Sequence, residues 1–593
     1  MPLAQARHER LGKRIALAVF SSDAMSSVAY ATEEILLILM LAGSAAVHFA
    51  VPIALAITAL MVVVVISYQQ TIHAYPSGGG SYIVARANLG TVPGLVAAAA
   101  LLVDYVLTVA VSVAAGVAAI TSALPEMSTH KIALGVVFVA AIALANIRGV
   151  RESGRIFAVP TYFFITSFAL LLVVGAFRLL TGSLPPAAPA QSTAVEPLTW
   201  FLVLRAFSSG CTAMTGTEAI SNGIPAFRPL ESRNAAITLG WMAVILGTLF
   251  VGITVLASML GVLPTATETV VSQIARRLFG GGVLYYAIQA ATALILVLAA
   301  NTSFADFPRL ASLLARDRFV PRQFATLGER LVFSNGILVL AGFAALLLVL
   351  FGGETHALIP LYAVGVFISF TLSQSGMVRH WWRERASGWR WRIAINGIGA
   401  TATAVVTVVI GVTKFSHGAW IVVLVIPLLV TAFVMMSRHY EEVANDLSLE
   451  GMEVPPEFQH TVLVLVGDVH RGVVRAVQYA RTLAPTATVR GVYVETDPAR
   501  TSRLEEKWAS WGLGVPLVVL ASPYRSLLRP LLDYIDKIHA RGDDQMVTVV
   551  LPEFLPRRWW QHVLHNQTAL LVKGALLFRT NTVVADVPYL LKR

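Results

Sequence analysis

Apolar residues run in stretches of about 20 along the first 440 or so positions, the length a helix needs to cross the hydrocarbon of a bilayer. Twelve stretches predict twelve spanning helices, over 15–41, 50–70, 93–123, 131–147, 156–180, 199–223, 233–262, 283–304, 333–352, 356–378, 393–412 and 417–437. Beyond Arg438 the pattern changes. Residues 441–459 are polar and carry Pro455-Pro456, which reads as a linker. Short apolar runs then alternate with helical patterns. The runs 461–469, 489–496, 515–522, 546–553 and 582–588 predict strands, with helices between them, as over 471–484 and 525–541. That alternation predicts a doubly wound parallel sheet. The chain therefore divides into a membrane domain over 1–440, a linker over 441–459, and an α/β domain over 460–593.

Composition narrows the class. Of 593 residues, 56% are hydrophobic and 13% charged, where a soluble domain carries about 25% charged residues. A soluble enzyme is excluded. The single cysteine, Cys211, excludes a disulfide framework. No cleavable signal peptide is expected, because the first apolar segment holds an Asp and many serines. The net charge of +11 is spread over many short loops. Most Lys and Arg fall on loops sharing a side with the N-terminus, among them Arg10, Arg86, Arg151, Arg228, Arg309, Arg322, Arg383 and Arg438. That asymmetry predicts a multi-pass protein of the cell membrane with both termini cytoplasmic. It also removes nucleic acid as a partner and leaves membrane lipid. The loop HWWRERASGWRWR (380–392) then reads as an interfacial anchor.

Ionisable residues inside spans are costly and mark function by default. Asp23 lies in the first span, Asp104 in the middle of the third, and Glu218 in the sixth. Each could be a packing acid paired with an Arg of a neighbouring helix, or it could meet a proton or an imported cation. For Glu33 and Glu34, nearer the outer end of the first span, the packing role is the stronger expectation. The first and sixth spans also echo each other. FSS at 20–22 precedes ATE at 31–33, and FSS at 207–209 precedes GTE at 216–218. Spans 1–5 and 6–10 would then be inverted repeats whose opening helices break at mid-membrane. The turn PSGGG (76–80) is either a cytoplasmic gate or only a turn. No nucleophile–base pair or metal cluster stands out in the spans, so the chain is not expected to be an enzyme.

The stretches FSSDAMSSVAY, ISYQQTIHAYPSGGGSYIVARANLGTVPGLVAAAALLVDYVLTVAVS and AFSSGCTAMTGTEAIS resemble the KUP family of potassium importers, within the amino acid–polyamine–organocation superfamily. The resemblance implies a LeuT-like five-plus-five inverted repeat with two added helices, and an α/β domain like the universal stress proteins. It implies proton-coupled potassium symport and a homodimer formed through the C-terminal domain. In some members it also implies inhibition by cyclic di-AMP. By position, it puts potassium binding at Asp23, Tyr30, Thr108, Thr215 and Tyr362, and proton coupling at Asp104 and Glu218. No cofactor is implied beyond potassium as substrate. The glycine-rich phosphate loop of nucleotide-binding stress proteins is absent, since no glycine falls between Leu551 and Lys573. A cyclic dinucleotide held by Arg557, Arg558, Trp560, His562 and Arg322 is the remaining nucleotide reading. A basic edge facing anionic lipid is its equal.

Two functions remain. One is potassium import with protons. The other is an amino acid or polyamine permease on the same scaffold. The first break reads SSDAMSS, with an acid and no glycine. A fixed negative charge there repels a substrate carboxylate and attracts a cation, although a polyamine is also cationic.

Overall fold

The computed structural model describes residues 10–590 apart from 79, 149–153, 184–193, 266, 327–332, 416–417, 451–457, 484–487, 543 and 556–567. They form two compact units, Met1–Leu447 and Ser448–Arg593.

Helix occupies all twelve stretches that hydropathy marks in the first unit. Ten helical stretches are long and apolar enough to cross a membrane. Another, Ser334–Leu350, is shorter, and the sixth stretch is broken. The first span is also in pieces: Lys13–Phe20, Ser22–Ser26, a tight turn over Ser27–Ala29, then Ala31–Leu39. The sixth runs as Trp200–Gly210 and Cys211–Met214, opens at Thr215 and Gly216, and resumes at Ala219–Asn222. Gly216 takes φ +76°, a left-handed conformation that costs glycine nothing.

These two spans lie side by side and antiparallel. Gly223 packs on Phe20, Gly216 on Asp23, and Gly210 on Ile35, while the Ser27 hydroxyl reaches the Ala213 carbonyl at 3.1 Å. The pairing runs backwards along one span as it runs forwards along the other. Opening helices of two inverted repeats must meet in this way. Glycine at the crossings lets the backbones approach. Near Phe20, Leu11 pairs with Phe227 as an isolated parallel bridge, with the Leu11 N–H donating to the Ala226 carbonyl at 2.7 Å.

Several helices outrun their hydrophobic stretch. The eighth span extends to Arg316 rather than 304, and the tenth is Thr355–Glu384. The twelfth, Ala419–Asp446, continues past 440, so the first six residues given to the linker are helical. Two short helices, Ser81–Leu89 and Val270–Phe279, lie between spans.

The second unit is a five-stranded parallel sheet: β1 (Gln459–Leu465), β2 (Thr488–Glu495), β3 (Leu517–Ala521), β4 (Gln545–Leu555) and β5 (Thr582–Leu590). The order is β3-β2-β1-β4-β5, with β1 in register with β4 at Val462–Thr548. Side chains alternate across the sheet. Val462 and Val464 pack under Val473, Ala476 and Trp508, while Leu463 packs under Leu531, Ile535 and Ile538. A layer of helices thus covers each face.

The crossing of the two broken spans can be tested directly. A Cβ at Gly210 would collide with the Ile35 side chain, so Gly210→Val should cost about 1–3 kcal/mol as overpacking. Ile35→Ala in the same chain should return part of that loss, read as unfolding temperature in detergent. Losses that simply add would place the two residues apart.

Candidate functional site

The two breaks bring small hydroxyls together with acids. Most hydroxyls are spent locally. Ser22 donates to the Val19 carbonyl (3.2 Å), Ser26 to Asp23 (2.7 Å), Thr212 to Ser209 (2.9 Å) and Thr217 to Met214 (2.9 Å). These bonds satisfy carbonyls that an interrupted helix leaves open. Thr215 likewise donates to the Thr212 carbonyl at 2.9 Å. A hydroxyl that donates keeps its oxygen lone pairs for another partner. Thr108 of the third span donates to the Tyr362 hydroxyl of the tenth at 3.2 Å.

Around these oxygens the structure gathers all seven residues predicted for transport. Asp23 lies within electrostatic range of Glu218, and Asp104 of both. Tyr30 faces Thr215 and neighbours Asp23, and Tyr362 neighbours Asp23, Tyr30 and Asp104. All seven are buried. Gly365 brings the tenth span onto the third beside Asp104, where a Cβ would sit 3.0 Å from the Ala100 carbonyl oxygen. Gly216 does the same for the breaks, since a Cβ there would come 2.7 Å from Asp23 Oδ2.

The acids are not neutralised by arginine. Asp23 Oδ1, Asp104 Oδ1 and Glu218 Oε2 are buried with no hydrogen-bond partner. Among the described residues no salt bridge reaches any of the three. Glu33 and Glu34 behave differently and fit the packing reading. Glu33 accepts the Val270 N–H at 3.1 Å and faces His356 at 3.5 Å. Glu34 meets His356 at 2.6 Å and the buried Lys414 at 3.9 Å. These cations come from the start of the tenth span and the end of the eleventh and are a His and a Lys, where the sequence pointed to an Arg of a neighbouring helix.

Other polar groups adjoin the site without having been singled out. Tyr68 of the second span lies near Glu218, Asp104 and Ser373. Tyr105 sits one residue beyond Asp104, and its hydroxyl accepts from Asn222 at 3.3 Å. Asp306 stands near Asp23 and Glu218 and is paired with Arg309 at 3.1 Å. The predicted eighth span stopped at 304, which put Asp306 in a loop. The run AANTSFAD, small and polar inside a hydrophobic stretch, was the available signal. The PSGGG turn packs against the end of the sixth span, because a side chain at Gly80 would collide with the Asn222 amide.

The candidate nucleotide residues Arg557, Arg558, Trp560 and His562 lie outside the described residues. Arg322 belongs to the first unit and stacks on Tyr440 at 5.0 Å. The aromatic-basic loop folds on itself, with Arg392 over Trp381 at 4.2 Å.

Apolar spanning helices, two of them broken around buried acids, define a helical membrane transporter. The chain belongs to the amino acid permease family, whose profile, described as "Amino acid permease", matches residues 13–445. A second profile, "KimA potassium transporter C-terminal domain", matches 458–589. The Potassium transporter KimA of Bacillus subtilis (strain 168) is 45% identical over 593 residues, covering 99% of this chain and 97% of that protein. Among solved structures, a mutant of the Eremococcus coleocola manganese transporter is 12% identical with a TM-score of 0.39, covering 76% of this chain and 98% of that one. The same transporter in complex with an aromatic bis-isothiourea substituted compound matches at 12% identity and a TM-score of 0.39, over 74% and 94%.

Paired and unpaired acids should respond oppositely to neutralisation. Glu34→Gln strips the carboxylate from Lys414 and His356 and should cost about 3 kcal/mol, as breaking a buried pair does. Asp23→Asn removes an uncompensated charge and should leave the unfolding midpoint unchanged or raised. A strongly destabilised Asp23→Asn would mean that Asp23 has a structural partner.

Proposed function

We propose that this chain imports potassium together with protons by alternating access. One observation carries the reading: three buried carboxylates keep unpartnered oxygens where two antiparallel helices break. A charge left so in a water-poor interior is costly unless a cation or a proton completes it. A dehydrated potassium ion needs several oxygens. Asp23 supplies charge, and Tyr30, Thr108, Thr215 and Tyr362 supply hydroxyl oxygens. Asp104 and Glu218 take and release the proton. The extensive identity with a potassium transporter supports the cargo.

The amino acid permease reading is weaker at this site. Asp23 stands where a zwitterion would present its own carboxylate. In the same proposal the chain lies in the cell membrane with both termini cytoplasmic, as its basic loops support. The C-terminal unit joins two copies and responds to cyclic di-AMP, as the sequence resemblance supports.

Import into proteoliposomes is the test. Asp23→Asn should raise the half-saturating potassium concentration about 10–100-fold, because a hydrogen bond or ligand contact to a charged group is worth about 1.5–3 kcal/mol. Potassium entry should rise with an imposed inward proton gradient, and Glu218→Gln should abolish that dependence. Unchanged uptake by Asp23→Asn would remove it from the site. Uptake indifferent to the gradient in the native chain would leave potassium import without proton coupling.

A further inference from the structure

A cleft of about 510 Å³ opens on the outside of the bundle, away from the site. It lies between the second span, Ala50–Ala74, and the seventh, Glu231–Leu260. Its lining is divided by chemistry. Gln69 and His73, one turn apart on the second span, and Arg233, in the first turn of the seventh, form a polar end. Ile237, Trp241 and Val244 continue from Arg233 along one face of the seventh span. These three are exposed at 37%, 61% and 60% among the described residues.

The polar end is basic and unopposed. Glu231, two residues before Arg233, is engaged by Arg10 at 2.7 Å, and no acid lines the cleft. Among the described residues no carboxylate pairs with Arg233. The His73 Nδ1 is tied to the Gln69 carbonyl at 2.7 Å, which leaves Nε2 as the ring atom able to meet a ligand. Gly240 forms part of the wall, and a Cβ there would already touch the Gln69 amide at 3.5 Å. From Arg233 to Val244 the helix rises about 16 Å at 1.5 Å per residue, close to half of a bilayer core about 30 Å thick. A basic head and an apolar track one leaflet deep match a lipid with a negatively charged headgroup.

We infer that the cleft between the second and seventh spans binds one anionic glycerophospholipid, its phosphodiester at Arg233 and His73 and an acyl chain along Ile237, Trp241 and Val244. Arg233 and His73 supply charge and direction, and the apolar stripe supplies area. A zwitterionic lipid would bring its own cation to Arg233 and lose the advantage. The cleft lies on the second span beside Tyr68, so its occupant touches the same helix as the transport site from the opposite side.

Photo-crosslinking of the full-length protein in nanodiscs tests the assignment. The probe is phosphatidylglycerol with a diazirine in the acyl chain, against phosphatidylcholine with the same chain. Phosphatidylglycerol should label residues 237–244 about fivefold more than phosphatidylcholine, the worth of one basic residue near anionic lipid. Arg233→Gln should reduce its labelling to the phosphatidylcholine level, and Arg233→Lys should restore it. His73→Gln gives a second reading should Arg233→Gln fold poorly. Equal labelling by the two probes, or labelling that neither variant reduces, overturns the proposal. Loss of labelling on adding inorganic phosphate would reassign the basic end to a free anion and also overturn it.

Discussion

A carboxylate buried among helices must find a cation, a proton or a hydrogen-bond donor. This protein meets that demand in two different ways. In the last helical piece of the first span, Ala31–Leu39, Glu33 and Glu34 receive His356, Lys414 and a backbone N–H from the helix Val270–Phe279. Elsewhere in the bundle, Asp23 Oδ1, Asp104 Oδ1 and Glu218 Oε2 are buried with no hydrogen-bond partner among the described residues. One group holds helices together, and the other leaves buried carboxylate oxygens unpartnered, which is costly in a water-poor interior. A fold retains that cost where an arriving ligand supplies what is missing.

The backbone is arranged around those three acids. Gly216 takes a left-handed turn against Asp23, which no larger residue could do without collision. Local hydroxyls donate to carbonyls beside the breaks. Thr215 and Tyr362 both stand close to Tyr30, and Tyr362 also to Asp23. Two antiparallel half-broken spans are held together at Phe20–Gly223 and Ile35–Gly210 on either side of these acids. The second unit is built on separate logic, a parallel sheet covered on both faces.

Much of this is legible in the sequence. Helix occupies all twelve stretches that hydropathy marks, ten helices among the described residues being long and apolar enough to span a membrane, and the short apolar runs mark the five strands. Asp23, Asp104 and Glu218 stand out because an ionisable residue in an apolar run is costly and calls for a partner. Helix ends were legible only as far as the hydrocarbon extends. Interfacial helix rich in Arg and Asp looks like loop, and for that reason the eighth span was cut short of Asp306 and the twelfth short of Asp446. Partners across space were not legible at all. Nothing in the sequence joins Glu34 to Lys414, 380 positions away. Tyr30, Thr108, Thr215 and Tyr362 came from family resemblance, since hydroxyl residues in membrane helices are common and most of them bond their own backbone.

Crystals of the protein grown with thallium, a heavy monovalent cation that substitutes for potassium, give the most direct test of what completes those carboxylates. An anomalous peak within coordination distance of Asp23 Oδ1, the Thr215 hydroxyl and the Tyr362 hydroxyl, lost in Asp23→Asn, is the result this account predicts. No peak among these oxygens in the native protein, with Asp23 instead bonded to a neighbouring guanidinium, would contradict it.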